Sequence, residues 1–251
     1  MWHILSGTEG RPGPAFFLKL ETRNLKLKSR NSQLTTRNCL VMLFEDRRDA
    51  GRVLAAHLGA YANCPDGIVL ALPRGGVPVA YEVARALHLP LDVFVVRKLG
   101  TPGQEELAFG AIASGGVRVL NPDVIQDFQL SAEAMERVTL RESAELERRE
   151  RQYRGDRPPL EVSHRTVILI DDGLATGSTM RAAVAALRRM APAQIVVAVP
   201  VAARSTCAEL RADVDDLICA ATPDKFFAVG QWYREFPQVS DEEVEQLVGG
   251  N

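Results

Sequence analysis

The sequence predicts an α/β protein built on a doubly wound, mainly parallel sheet with helices on both faces. Two observations carry that prediction. Short apolar runs recur along the chain: "GIVLAL" (67–72), "LDVFVV" (91–96), "TVILI" (166–170), "QIVVAV" (194–199) and "DLICA" (216–220). Stretches with helical periodicity lie between most of them, joined by short loops. Composition agrees, with 46% hydrophobic and 25% charged residues, as in a soluble globular chain. At 251 residues there is room for one sizeable core, or for one core with a small appended part. No apolar run approaches the roughly 20 residues of a membrane-spanning helix, so a cytoplasmic protein without membrane contact is expected.

Residues 1–41 lack sustained periodicity and contain the turn-like run "GTEGRPGP". They hold seven Lys and Arg against Glu9 and Glu21, which leaves the other 210 residues at about −7 within a net charge of −2. A basic, disordered upstream extension is the reading of 1–41, with a targeting segment as the competing one. The acidic remainder offers no groove for nucleic acid.

The organised chain is expected to start at Met42, where "MLFEDRRDAGRVLAAHL" reads as a helix with Leu54 and Leu58 at i,i+4 spacing. "GIVLAL" is a buried strand closed by Pro73, and "VPVAYEVARALHL" (77–89) is a helix with Val79, Val83 and Ala86 on one face. "LDVFVV" is the next strand. "AFGAIASGGVRVL" (108–120) reads as a hairpin turning at Gly115–Gly116. Residues 131–154 form a charged helix capped by Ser131, with Glu145–Arg149 among its i,i+4 pairs. "GDRPP" ends it. "TVILI", a helix over 179–190, "QIVVAV", a helix near 204–212 and "DLICA" complete the alternation. The cysteines Cys39, Cys64, Cys207 and Cys219 form no C-x-x-C pair, and the four histidines add no metal-ligand pattern. They read as buried thiols in a reducing compartment.

Ligands on open α/β sheets sit beyond the carboxyl ends of the strands. Three loops occupy such places: "LPRGG" (72–76), "VVRKLG" (95–100) and "IDDGLATGST" (170–179). In the last, Gly173 and Leu174 lead into Ala175, Thr176, Gly177, Ser178 and Thr179, ahead of the amphipathic stretch "TMRAAVAALRRM". The open N–H groups and dipole of a helix start favour an anion, and the hydroxyls of Thr176, Ser178 and Thr179 add donors. A phosphate monoester fits this cup, whereas a simple N-cap would need only one hydroxyl. Asp171 and Asp172 would repel that phosphate but can accept from a vicinal diol. One ligand satisfies both features, a sugar 5-phosphate.

The string "VILIDDGLATGST" resembles the 5-phosphoribosyl 1-pyrophosphate (PRPP) signature of the type I phosphoribosyltransferases. A receiver domain also places an acidic pair after a strand, but has no phosphate cup following at once. The resemblance implies a pyrophosphate loop at Pro73, Arg74, Gly75 and Gly76, with a cis peptide at Pro73–Arg74. It implies a catalytic lid over 95–112 whose tip is Pro102–Gly103. Arg97 and Lys98 would there neutralise the leaving pyrophosphate, and Glu105 or Glu106 would close over the site. It implies a C-terminal hood over 222–251, in which Phe226 stacks on a base while Trp232, Tyr233 and Phe236 serve packing, beside a core over 42–221.

Asp171, Asp172 and Lys98 are the catalytic candidates. Mg²⁺ is the expected cofactor, bound mainly through PRPP with no direct protein ligand. The partners are PRPP and a nitrogenous small-molecule acceptor, in a chain compatible with a homo-oligomer. Three positions depart from the 6-oxopurine enzymes: Ala175 where an Asp would face the purine, Pro200 where a Lys would read its oxo group, and Gln231–Tyr233 where a metal-binding Asp would follow the hood glycine. Purine salvage is disfavoured, and "LATG" is nearer the uracil-type loop. The rival reading is a non-catalytic sensor that binds PRPP or a nucleotide.

Overall fold

The computed structural model describes residues 44–250. The basic segment 1–41 and Met42 lie outside them. The first helix, α1 (Arg47–His57), begins later than its apolar pattern suggests, because the Asp46 carboxylate caps it by accepting the Asp49 N–H at 2.7 Å. In chain order there follow β1 (Gly67–Ala71), α2 (Gly76–Leu87), β2 (Leu91–Val93), β3 (Val96–Thr101), β4 (Gln104–Ala113) and β5 (Val117–Leu120). Then come α3 (Pro122–Asp127), α4 (Ala132–Arg154), β6 (Thr166–Ile170), α5 (Ser178–Arg189), β7 (Gln194–Val201), α6 (Arg204–Leu210), β8 (Asp216–Ala221) and α7 (Asp241–Gly249).

The main sheet has five parallel strands in the order β2-β1-β6-β7-β8. Its residues alternate between two apolar layers. Val69, Ala71, Ile168, Ile170, Val196 and Ala198 pack with α1, α2, α4 and α7. Ile68, Leu70, Val167, Leu169, Ile195 and Val197 pack with α5 and α6. That double burial explains why the strands read as unbroken apolar runs. The order reverses between β1 and β6, whose following helices cover opposite faces. A crevice opens at such a switch point, beyond the strand ends.

"LDVFVV" is divided, against the expectation of a single strand. Its first half is β2, beside β1. After Phe94 donates to the Ala71 carbonyl, Val95 turns away and exchanges bonds with Ser114, through its N–H to Oγ and its carbonyl to the Ser114 N–H, both at 2.9 Å. The second half thus enters a separate antiparallel sheet, β3-β4-β5. Its turn lies at Gly115 and Gly116, both at positive φ, and Pro102–Gly103 forms the tip between β3 and β4.

The C-terminal segment also divides. Phe44, Trp232 and Tyr233 are buried together with Phe226 beside them, and Phe44 donates to the Trp232 carbonyl at 2.8 Å. From Asp241, however, the chain leaves this cluster. The helix α7 buries Val244, Leu247 and Val248 in the main core, so the hood expected over 222–251 ends before it. Ser131 caps α4 as expected, accepting from the Ala134 N–H at 3.2 Å.

Replacing the fully buried Leu169 with Ala is expected to cost about 2–5 kcal/mol in urea unfolding. Leu140→Ala, at a side chain 62% exposed on α4, should change stability by no more than about 0.5 kcal/mol.

Candidate functional site

β1 and β6 are paired in register up to Ala71 and Ile170, so the two loops that follow leave the sheet side by side. Their contact explains the double glycine. A Cβ on Gly75 would lie 2.1 Å from Asp172 Oδ2, and one on Gly76 would lie 2.7 Å from the Ile170 carbonyl oxygen. Both positions start α2, and the peptide before them, Pro73–Arg74, is cis. Arg74 is half-buried, 3.7 Å from Asp241.

Asp171 together with Gly173–Met180 and Val229 lines a cavity of about 150 Å³. The loop around it is fixed from behind. Leu174 donates to the Val201 carbonyl and accepts from the Ala203 N–H, at 2.9 and 3.0 Å. Thr206 Oγ1 donates to the Ala175 carbonyl, and Arg181 donates to the Thr176 carbonyl at 2.7 Å. Gly177 has φ +68° and sits where a Cβ would strike the Thr206 methyl at 2.7 Å. The turn therefore needs glycine twice over. Thr176, Ser178 and Thr179 are exposed at the start of α5, where unpaired N–H groups favour an anion.

The two aspartates are not equivalent. Asp171 Oδ1 accepts the Asp172 N–H at 2.9 Å, and its carboxylate borders the cavity. Burial, followed by the Asp172 charge, pushes it well above the usual carboxylate range. Asp172 faces away from the cup. Its Oδ2 accepts from Arg47 Nε at 2.9 Å, and its carbonyl accepts from the Tyr233 hydroxyl. Burial raises Asp172 also, and Arg47 opposes the rise. The same guanidinium donates to the Pro237 carbonyl at 2.7 Å and lies 3.7 Å from the Phe236 ring centroid. Of the two aspartates expected on the diol, Asp171 lines the cavity and Asp172 is held by a cation.

Other candidates are dispersed. Arg97, expected at the leaving pyrophosphate, has its guanidinium bound to Glu142 of α4 through Nε at 2.9 Å and Nη2 at 2.5 Å. Lys98 lines a second cavity, of about 390 Å³, between the small sheet and α5. Ser178 borders both cavities, and Glu106 shares the second. Glu105 and Glu106 are exposed at the start of β4. Phe226 stacks on Trp232 with centroids 6.3 Å apart and planes 17° apart. Its neighbour Phe227 is 79% exposed. Trp232 and Tyr233 are packing residues, as expected.

Arg47, Thr206, Arg181, Tyr233 and Val229 were not legible as site residues. Arg47 meets Asp172 across 125 positions and Tyr233 meets it across 61. No local motif marks either of them.

A family model described as the phosphoribosyl transferase domain matches residues 46–233, from the cap of α1 to Tyr233. The chain belongs to this family. This chain is 50% identical over 202 residues to proteins from two strains of Mycobacterium tuberculosis, named as candidate phosphoribosyl transferases. The match takes in 80% of this chain and 45% of theirs, so the domain spans somewhat less than half the length of those curated relatives. It is also similar to the crystal structure of TT1426 from Thermus thermophilus, with a TM-score of 0.75 and 42% identity. That likeness covers 82% of this chain and 98% of the other.

A carboxyl group with a raised pKa in the folded state opposes folding above that pKa, and the penalty vanishes below its unfolded value of about 3.9. Asp171→Asn keeps an acceptor for the Asp172 N–H. It is expected to raise the urea midpoint at pH 7, with a gain that shrinks as pH falls towards about 4. An equal gain at both pH values would contradict a raised Asp171.

Proposed function

We propose that this domain binds PRPP with Mg²⁺ and transfers its phosphoribosyl group to a nitrogenous small-molecule acceptor, releasing pyrophosphate. The observation that carries this reading is the cavity in which one carboxylate, Asp171, adjoins the hydroxyl-rich cup of Ala175–Thr179 at the start of α5. The 5′-phosphate would occupy the cup, held by backbone N–H groups and by Thr176, Ser178 and Thr179. Asp171 would accept from the ribose hydroxyls. Asp172, fixed by Arg47, would position its neighbour. The pyrophosphate would lie towards Gly75 and Gly76, where Arg74 is within reach of an anion.

Mg²⁺ suits PRPP, because a hard cation prefers the oxygens of the pyrophosphate and ribose, with Asp171 adding negative charge beside them. Held by PRPP oxygens beside Asp171, it would neutralise charge on the leaving pyrophosphate. The hairpin with its tip at Pro102–Gly103 would cover the reacting carbon against water and bring Lys98 towards the pyrophosphate. Rate enhancement on this reading is positional and electrostatic. A soluble, cytoplasmic setting is part of the proposal; among the described residues no helix is long and apolar enough to cross a membrane.

A second reading, a sensor that holds PRPP or a nucleotide without turnover, has one specific support. Among the described residues Asp171 is the one ionisable side chain lining the cavity, and Ala175 brings neither an acid nor a base.

The test follows pyrophosphate release from PRPP and Mg²⁺ across a panel of bases and amines. Transfer predicts release that depends on a particular acceptor and falls about 100-fold or more in Asp171→Ala. Mg²⁺-dependent PRPP binding without release across the panel would leave the sensor. Absence of binding would sink both readings.

A further inference from the structure

Two sulfur atoms stand within van der Waals contact behind the cup. Cys207 of α6 and Cys219 of β8 have Sγ atoms 2.8 Å apart, about 0.8 Å beyond disulfide bonding distance. Cys207 is buried and Cys219 half-buried, and both are free thiols. They lie on the elements that brace the cup. Cys207 follows Thr206, whose hydroxyl holds the Ala175 carbonyl, and Cys207 N–H donates to Ala203, whose own N–H holds Leu174. Cys219 is in register with Val199 of β7, and two residues on the Ala221 carbonyl accepts the Ala202 N–H at 3.1 Å.

We propose that Cys207 and Cys219 are a redox-modification site, at which hydrogen peroxide joins them and so pins the cup against the sheet. The hydrogen bond shared with Cys219, aided by the Arg211 charge, lowers the Cys207 thiol, while the same bond and burial raise Cys219. In the sequence of steps Cys207 attacks first and Cys219 closes the bond. Its thiolate takes one peroxide oxygen, the O–O bond breaks, and the departing hydroxide recovers the proton that Cys207 lost, giving water and a sulfenic acid. The Cys219 sulfur then attacks the sulfenic sulfur. Its proton leaves with the hydroxyl as a second water. Two thiols and one peroxide yield one disulfide and two waters, two electrons having passed from sulfur to oxygen. A thiol reductant reverses the bond.

This inference is independent of PRPP, and its test needs no ligand. The full-length chain carrying Cys39→Ser and Cys64→Ser retains only this pair of thiols. Treated with a slight excess of hydrogen peroxide, it should lose two hydrogens by intact mass. Peptide mapping should find residues 207 and 219 cross-linked, and dithiothreitol should restore both thiols. The oxidised form should melt about 5 °C higher, and amide exchange over residues 174–179 should slow several-fold, about 3 to 10 times. Cys219→Ala in the same background should give none of these changes. Comparing oxidised with reduced protein keeps the test valid should that variant fold poorly. Sulfinic acid at Cys207 without a cross-link would overturn the proposal, as would a cross-link that leaves exchange over 174–179 unchanged.

Discussion

Everything in this site depends on two neighbouring parallel strands that end level with one another. Because β1 and β6 pair up to Ala71 and Ile170, the segments that follow must share one crevice. The two segments run so close that a Cβ on Gly75 would collide with the Asp172 carboxylate. The double glycine is first a condition for the acids to exist there. At the start of α2 the Gly76 N–H is itself taken by the Leu72 carbonyl at 3.1 Å.

Concentrating two carboxylates in a half-buried crevice has an electrostatic cost that the fold meets unequally. Arg47 neutralises Asp172 and leaves Asp171 without a cationic partner among the described residues. The guanidinium also ties α1 and the C-terminal segment to the crevice through Pro237 and Phe236. A single side chain therefore joins three distant parts of the chain at the acidic pair.

The parallel sheet was legible because its strands are buried on both faces and its helices carry one apolar stripe. Both signals are local. The cup was legible for the same reason, since strand, acids, hydroxyl-rich turn and helix lie within thirteen consecutive residues, Val167–Thr179. The division of "LDVFVV" was not, because it is decided by Ser114, nineteen positions away from Val95. The hood was partly legible: Trp232 and Tyr233 read as packing residues, but nothing local distinguishes a pocket aromatic from Phe226 stacked on Trp232. Arg97 looked like a phosphate ligand at a strand end, and only the tertiary fold supplies Glu142 as its partner. The α7 helix was missed although Ser240 caps it and acids fill its first turn, since its apolar face is completed by α2 and α4.

The long helix α4 has a mechanical consequence. Its 23 residues extend about 34 Å. Along that length Glu142 grips Arg97 of β3, Arg154 grips Asp92 of β2, and Tyr153 grips Asp241 of α7. It acts as a crossbeam bolted to both sheets, so the root of the β3-β4 arm cannot slide along the main sheet. Any swing of that arm must come from bending beyond the bolt, at Leu99–Gly100 and Gly100–Thr101, where the strand register slips. The joint of the arm is thus confined to three residues, and its reach to the short stretch of chain outboard of them.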